Sequence, residues 1–294
     1  ALALDANTTA NNCTALGYNA LTANTTGTLN TAVGRAALDA NTTANDNTAV
    51  GYDALGANTT GNQNVGIGVS AISTSSGSSN NVAVGFHALK VQSTGDDNVA
   101  VGYIAAAALT TGASNVIIGS ACGDGLTTGS HNVAIGRLAL SASTTASYNT
   151  AIGSQALEAN TTGSKSTAVG YEALTTQTTG TDNTAVGYQA LRVNNGSNNT
   201  AVGDRALTEN TTGIENTAIG RYALNANTTG DENTAVGYMA LDSNTTGTQN
   251  TSVGYKALNA NTTGTRNTAF GWSALLNSTG GNNTAVGAYA GDSN

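Results

Sequence analysis

The fold is decided by residues 47–63, which read NTAVGYDALGANTTGNQ, because the same seventeen-residue pattern fills the chain. We number the positions of this repeat 1 to 17, starting at Asn47. Sixteen complete copies follow one another, with partial copies at residues 1–12 and 283–294. No linker, charge block or change of composition interrupts them. The sequence therefore predicts a single continuous repeat array over residues 1–294.

The length of the repeat points to one architecture. Seventeen residues are too few for a helical-hairpin repeat, which needs more than about thirty, and they suit one coil of a solenoid. The predicted fold class is all-β: a parallel β-solenoid, or β-roll, of about 17-residue coils with one strand-turn-strand coil per repeat. Neighbouring coils would stack about 4.8 Å apart, as strands do in a sheet. The chain contains no Pro, as expected if nearly every backbone N–H donates to a neighbouring coil.

Three repeat positions are predicted to form the core. Position 4 is always apolar, position 9 is mostly Leu, and position 8 is Ala except at Cys122. Position 2 shares a strand face with position 4, and we expect it to be half-buried. It is Thr in most copies and Val in five consecutive ones, at Val65, Val82, Val99, Val116 and Val133.

The charged residues identify the solvated positions. Of the 26 charged residues, 25 fall at positions 6, 7, 10, 16 or 17, and Glu209 is the exception. Isolated charges are not buried unpaired, so these positions face water. Positions 5 and 8, almost always Gly and Ala, would line a wall flat enough for another chain.

Position 5 is Gly in every copy that includes it. Either the backbone there has a positive φ at a corner, or another surface packs directly against the strand. The structural glycines of this kind that we single out are Gly34, Gly51, Gly170, Gly187, Gly237 and Gly254.

Asn-Thr-Thr-Gly at positions 12 to 15 predicts a turn, and Asn at position 1 marks another bend. Stacked Asn and Thr side chains can hydrogen-bond to their equivalents in neighbouring coils. Nine Asn-Thr-Thr triplets match the N-glycosylation acceptor. Because each triplet coincides with the turn, we interpret them structurally.

Composition excludes several functions. A net charge of −8 argues against a nucleic-acid binder that relies on phosphate contacts. No apolar run is long enough to span a membrane, so we expect no membrane insertion in this segment. No catalytic constellation recurs, and His87 and His131 stand at different positions of distant coils. We therefore expect no enzyme, cofactor or metal site.

The two cysteines are expected to be unbridged, because Cys13 and Cys122 lie six coils apart. We expect Cys122 to be a buried small residue.

The Asn-Thr-Ala-Val-Gly strand followed by a Gly-containing turn resembles the head repeats of trimeric autotransporter adhesins of the Yersinia adhesin type, although the unit here is longer. The longer pattern NTAVGYxALxxNTTG also resembles repeats in surface fibres of marine Bacteroidetes and in phage tail fibres. The resemblance implies an extracellular or cell-surface, attachment-related protein. It also implies a parallel homo-oligomer, with a trimer favoured over a larger bundle. Since the sequence starts within a repeat, we expect a fragment of a longer fibre.

Aromatic residues collect at position 6, including neighbours on consecutive coils. Neighbouring ones include Tyr171 with Tyr188, and Tyr238 with Tyr255 and Trp272. They would form either an adhesive stripe or a self-stacking ladder or seam between chains.

The leading functional hypothesis is a structural or adhesive segment of an extracellular filament or surface fibre, whose glycan or protein receptor the sequence does not name. The alternatives are an ice-binding solenoid that presents Thr at positions 2, 13 and 14, a phage tail-fibre shaft, and a tail-spike enzyme.

Overall fold

A computed structural model describes residues 2–292, which form two compact units, the first ending at Tyr148 and the second beginning at Asn149. Each unit is built from short strands and turns, and the described residues contain no helix. Consequently none of them belongs to a helix long and apolar enough to cross a membrane.

Every strand covers three residues, positions 2 to 4 of one repeat. The strands of the first unit are β1 (Thr14–Leu16), β2 (Thr31–Val33), β3 (Thr48–Val50), β4 (Val65–Ile67), β5 (Val82–Val84), β6 (Val99–Val101), β7 (Val116–Ile118) and β8 (Val133–Ile135). Those of the second unit are β9 (Thr150–Ile152), β10 (Thr167–Val169), β11 (Thr184–Val186), β12 (Thr200–Val202), β13 (Thr217–Ile219), β14 (Thr234–Val236), β15 (Thr251–Val253), β16 (Thr268–Phe270) and β17 (Thr284–Val286).

Within each unit, neighbouring strands pair in parallel with equal repeat positions side by side, as the pairing of β2 with β3 and of β10 with β11 illustrates. Hydrogen bonds between coils continue beyond the strands. The N–H of Leu38 at position 9, for example, donates to the carbonyl of Ala54 at 3.0 Å. The predicted all-β parallel β-solenoid with coils of about 17 residues is confirmed. Pro would remove such a donor, which accounts for its absence from the sequence.

Three positions in a coil adopt left-handed backbone conformations with side chains other than glycine. They are positions 7, 9 and 17, where Asp53, Leu55 and Gln63 have φ of +56°, +53° and +59°. Side chains adopt this conformation uncommonly, and here the neighbouring coils repeat it. The left-handed residues at positions 7 and 9 lie on either side of the buried Ala54.

Position 5 has a more extreme backbone that only glycine tolerates readily. At Gly34, Gly51, Gly170, Gly187, Gly237 and Gly254, φ lies between +133° and +139°. A Cβ atom on Gly170 would also overlap the carbonyl oxygen of Gly187 in the next coil. Both causes that the sequence left open therefore act together, and the close surface is the next coil of the same chain.

The core consists of positions 3, 8 and 9. In a typical coil Ala49, Ala54 and Leu55 are fully buried, whereas Val50 at position 4 is 36% exposed. Strand side chains alternate between the two faces, so an inward position 3 turns positions 2 and 4 outward. The prediction that position 4 packs in the core is wrong. The prediction that position 2 is half-buried is confirmed, as at Thr48.

One coil shows how little space lies beside position 3. Ile117 stands there in place of Ala, in a coil whose position 9 is Gly123 instead of Leu. A Cβ atom on Gly123 would lie 3.2 Å from Cγ2 of Ile117. The larger side chain at position 3 thus fills the volume that Leu fills in other coils.

Buried Asn side chains form hydrogen-bonded ladders inside each unit at positions 1 and 12, although position 12 carries Ser, Gln or Leu in seven of the sixteen complete coils. At position 12, Nδ2 of Asn41 donates to Oδ1 of Asn24 at 2.8 Å. At position 1, Nδ2 of Asn47 donates to Oδ1 of Asn30 at 3.2 Å and to the carbonyl of Gly61 at 2.9 Å. The predicted hydrogen bonding between stacked Asn side chains is confirmed, and it satisfies polar groups that would be costly to bury alone.

Candidate functional site

The outward side chains at positions 2 and 4 of the strands form the most regular surface of each unit, which we call the sheet face. Position 2 contributes Thr or Val, and position 4 contributes mainly Val or Ile. Several position-4 residues are between 36% and 41% exposed, namely Val50, Ile67, Ile152, Val186, Val202 and Ile219. No position of the face carries a charge. An uncharged, partly apolar surface of this kind is typical of contact sites.

The expected wall of positions 5 and 8 is not a surface for another chain. Ala54 and Ala88 at position 8 are fully buried inside the solenoid. Gly51 and its equivalents stack on the backbone of the next coil. The sheet face is therefore the uncharged surface that the fold presents outward, and the prediction placed this surface on the wrong side of the coil.

The sheet face of the first unit contains a block without hydroxyl groups. In β4–β8 both outward positions are β-branched aliphatic residues. We call these ten residues the valine block: Val65, Ile67, Val82, Val84, Val99, Val101, Val116, Ile118, Val133 and Ile135. They are aligned in two columns, since Val65 pairs with Val82 and Ile67 with Val84.

The position-6 aromatic residues on consecutive coils stack on one another. Ring centroids are 5.6 Å apart for Tyr171 and Tyr188, 5.4 Å for Tyr238 and Tyr255, and 4.0 Å for Tyr255 and Trp272. The planes differ by only 14° to 15°. A ring between two neighbours has both faces covered, so the side chains present mainly ring edges and polar atoms to solvent.

A hydrogen-bonded column at position 7 accompanies these rings in the second unit. Nε2 of Gln189 donates to Glu172 at 2.7 Å, and Nε of Arg205 donates to Oε1 of Gln189 at 3.2 Å. Nη1 of Arg205 in turn donates to the Tyr222 hydroxyl at 2.7 Å. Hydrogen bonds from Arg221 and Arg205 lower the pKa of Tyr222, because they stabilise its phenolate form.

Sequence reasoning considered aromatic residues only at position 6 and so missed others. Tyr222 belongs to position 7, and Tyr148 at position 17 stacks on His131 with centroids 5.0 Å apart. The signal was available, because His131 and Tyr148 are seventeen residues apart and therefore equivalent in neighbouring repeats.

The two Thr positions of the turn have different surroundings. At position 13 the hydroxyl donates to the backbone of the next coil, as from Thr25 to the carbonyl of Thr42 at 3.0 Å. At position 14, Thr43 and Thr60 are exposed. The outward Thr array thus involves positions 2 and 14, whereas the position-13 hydroxyl hydrogen-bonds to the backbone of the next coil.

The glycosylation triplets are mostly inaccessible. Eight of the nine acceptor Asn residues are fully buried in the position-12 ladder: Asn24, Asn41, Asn58, Asn160, Asn210, Asn227, Asn244 and Asn261. Asn7 in the first partial coil is exposed. The structural interpretation of the buried triplets is confirmed.

The remaining candidates do not cluster. Among residues 2–292, no group of three or more His, Cys, Asp or Glu is arranged to hold a metal ion. Burial and the nearby Lys90 lower the pKa of His87. Cys13 and Cys122 are free, and Cys122 occupies the buried site that Ala fills in other coils. Burial raises the pKa of its thiol to about 12.

Charge placement follows the repeat as predicted. No Asp, Glu, Lys or Arg between residues 2 and 292 is buried. Glu209, the one charge outside the five expected positions, is exposed and pairs with Arg192 at 2.9 Å.

Comparison with models of known protein families and with curated protein sequences found no match to this chain.

Proposed function

We propose that this chain is a structural and adhesive segment of an extracellular filament or surface fibre, and that it works as a parallel homo-oligomer. The observation that carries the proposal is the sheet face, an uncharged surface with a column of exposed aliphatic residues. Soluble chains rarely leave regular apolar surfaces of this kind uncovered. Its periodic spacing suits a partner with the same period, which a second copy has.

Charge supports this choice of surface. Each copy carries a net charge of −8, so two copies repel one another unless they meet where charges are absent. The sheet face is such a place, because all 26 charged residues lie at other positions. The extracellular location and the preferred number of three chains follow from the resemblance to adhesin repeats.

The aromatic column and the polar column beside it are our candidates for attachment. Tyr171, Tyr188 and Trp272 are between 43% and 50% exposed, although they stack on their neighbours. Ring edges, hydroxyl groups and the Arg205 guanidinium offer hydrogen bonds to a glycan or protein receptor. In this proposal the chain supplies a binding surface and a scaffold, and no catalytic step.

The proposal is tested by sedimentation of the 294-residue chain carrying Val84→Lys and Val101→Lys, which place two charges on the sheet face. A matched control carries Asn80→Lys and Ser114→Lys, which add the same charge at exposed position-17 sites. We expect the wild type and the control to form oligomers at micromolar concentration, and the face variant to be monomeric. A wild type that is monomeric at every concentration would contradict the proposal.

One observation favours a second candidate, ice binding. In β9–β17 of the second unit, Thr at position 2 and mainly Val or Ile at position 4 form two parallel outward columns with strand spacing of about 4.8 Å. A thermal hysteresis measurement distinguishes the candidates. Ice binding predicts a freezing point depressed below the melting point, and no hysteresis at high concentration excludes it.

A further inference from the structure

The acceptor triplet for N-glycosylation, Asn followed two residues later by Ser or Thr, also occurs outside the Asn-Thr-Thr turns. Six further triplets begin at Asn12, Asn195, Asn198, Asn250, Asn277 and Asn282. Those of Asn12, Asn198 and Asn282 occupy positions 17, 1 and 2, so they cross the boundary between two coils. We call these three the boundary triplets.

The boundary triplet of Asn198 presents both residues that the motif requires at the surface. Asn198 at position 17 is exposed, and Thr200 at position 2 is half-buried on the outward sheet face. Asn199 between them points inward, where it is fully buried and its Nδ2 donates to the carbonyl of Gly213 at 2.8 Å. The amide and the hydroxyl group of this motif therefore belong to the two outward residues.

The accessibility of position 17 is a property of the fold. From Asn12 to Asn282 each position-17 residue is exposed, and its φ lies between +57° and +62°. The acceptor Asn residues of the three boundary triplets thus share one backbone conformation and one outward placement.

The other triplets offer poorer acceptors. Eight of the Asn-Thr-Thr acceptors are fully buried, and so is Asn250, whose Nδ2 donates to the carbonyl of Gly264 at 2.9 Å. Asn7, Asn195 and Asn277 are exposed, but their side-chain amides hydrogen-bond within the protein. A sugar needs a free path to Nδ2, so the boundary triplets are the acceptors that the fold favours.

We propose that Asn198, Asn282 and Asn12 are N-glycosylation sites of the folded protein. The sugar comes from an activated donor whose anomeric carbon is bonded to a diphosphate. A bond forms between the Asn Nδ2 and this carbon as the bond from the carbon to the diphosphate oxygen breaks. The diphosphate leaves with the electron pair, and Nδ2 gives up one proton. The product carries bulky, solubilising groups on a chain in which only 9% of residues are charged.

The buried triplets set the order of events. Nδ2 of Asn41 donates to Oδ1 of Asn24 at 2.8 Å inside the position-12 ladder, where a sugar has no room. A chain modified before folding would carry sugar at such residues and could not form the ladder. The transfer therefore follows folding, and it does not depend on the proposed homo-oligomer.

The chain contains a natural control for this geometry. Asn80 at position 17 is exposed with φ of +61°, but position 2 of the next coil is Val82, so the triplet is incomplete. Val82→Thr completes it, and Thr200→Val removes the triplet of Asn198. Both variants exchange residues that the repeat already uses at position 2, so we expect their denaturation midpoints to be unchanged.

The first experiment maps sugars by peptide mass spectrometry on the protein isolated from its native source. We expect the mass of a sugar on peptides with Asn12, Asn198 and Asn282, and unmodified Asn at the buried position-12 triplets. Native protein in which Asn198 and Asn282 are both unmodified would overturn the inference. Sugar on Asn24 or Asn41 would overturn the order of folding and transfer.

The second experiment incubates the folded 294-residue chain with UDP-glucose and a soluble glycosyltransferase that recognises Asn-x-Ser/Thr. A tryptic digest of the same chain is the control, because there the fold protects no triplet. We expect a hexose on Asn198 in the parent, none there in Thr200→Val, and an additional one on Asn80 in Val82→Thr. The position-12 triplets should be modified in the digest alone.

Two results of this second experiment would contradict the geometric argument. One is an Asn198 that is modified in the digest and unmodified in the folded chain. The other is an Asn80 that stays unmodified in folded Val82→Thr although Asn198 is modified in the same sample.

Discussion

At the scale of single residues, the stacking of equivalent positions decides which substitutions the chain tolerates. Gly170 has φ of +138°, and a Cβ there would overlap the backbone of Gly187. Asn at position 12 is favoured where the adjacent coils also carry Asn, because its amide joins its equivalents on both sides, as Asn41 accepts from Asn58 and donates to Asn24. Whether this fold tolerates a residue therefore depends more on the equivalent residues in adjacent coils than on its neighbours in sequence.

Gly170→Val should destabilise the chain by about 3 kcal/mol or more, since it combines an unfavourable φ with a backbone clash. The control is Thr167→Val in the same coil, which copies the residue that β4–β8 carry at position 2. Chemical denaturation should show a lowered midpoint for the Gly170 variant alone. Equal midpoints for both variants would refute the steric account of position 5.

Breaks in the Asn ladder leave identifiable atoms unpaired. Among the described residues, Oδ1 of Asn58 has no hydrogen-bond partner, and the next coil carries Ser75 at position 12. Ser75→Asn should extend the ladder and raise the free energy of unfolding by about 1 kcal/mol. Ser76→Asn, at the adjacent exposed residue, should give no gain. If both variants have the stability of the wild type, the ladder contributes less than its geometry indicates.

Cys122 makes stability depend on alkaline pH. Its thiol has a pKa raised from 9.0 to about 12, because burial disfavours the thiolate. The unfolded chain thus loses this proton at lower pH than the folded chain does, so the thiol's contribution is complete below about pH 9 and falls as pH rises toward 12. Denaturation midpoints of the wild type and Cys122→Ala should diverge above pH 9, with the wild type losing more. A pH-independent difference would show that the thiol ionises equally in both states.

At the scale of the coil, the inward direction of the position-3 side chain determines which other strand positions face outward. With Ala235 inward and Val236 outward, the interior of this coil is filled by Ala, Leu and Asn side chains. Where position 3 carries the larger side chain of Ile117, position 9 carries Gly123 in place of Leu. The coil therefore behaves as a unit of nearly fixed interior volume.

Ala235→Ile should cost about 1–3 kcal/mol by overpacking the coil interior. Adding Leu241→Gly reproduces the pairing of Ile117 with Gly123 and should recover part of the loss. Val236→Ala, on the sheet face, should have the smallest effect of the three. A larger loss for Val236→Ala than for Ala235→Ile would mean that position 4 lies in the core after all.

Sequence periodicity was enough to predict the coil length, the parallel stacking, the solvated positions and the Asn ladders. It did not settle which strand face points inward, because alternation relates position 2 to position 4 without giving a direction. The size of the residues carried that information. Position 3 is nearly always Ala, as a tight interior requires, whereas position 4 accepts Leu16, Ile67 and Phe270. The stacking of the position-6 rings followed from their spacing, but their residual exposure depended on side-chain packing.

At the scale of the whole molecule, two surfaces divide the proposed tasks. The sheet face has no charge and suits contact between copies, while the aromatic and charged positions remain for solvent and receptors. This division would let a chain with a net charge of −8 associate with itself as we propose, because the contact avoids every charged position. Within each compact unit, equal repeat positions lie side by side in neighbouring strands. The continuity of one array over residues 1–294 stays a prediction.

A transverse section of the assembled protein by cryo-electron microscopy tests the central claim most directly, because it shows chain number and orientation together. We predict several parallel copies, three by resemblance, with their sheet faces turned toward one another at equal heights and their position-6 rings toward solvent. A section through a single isolated solenoid, or copies joined through other surfaces with the sheet faces in solvent, would contradict the account.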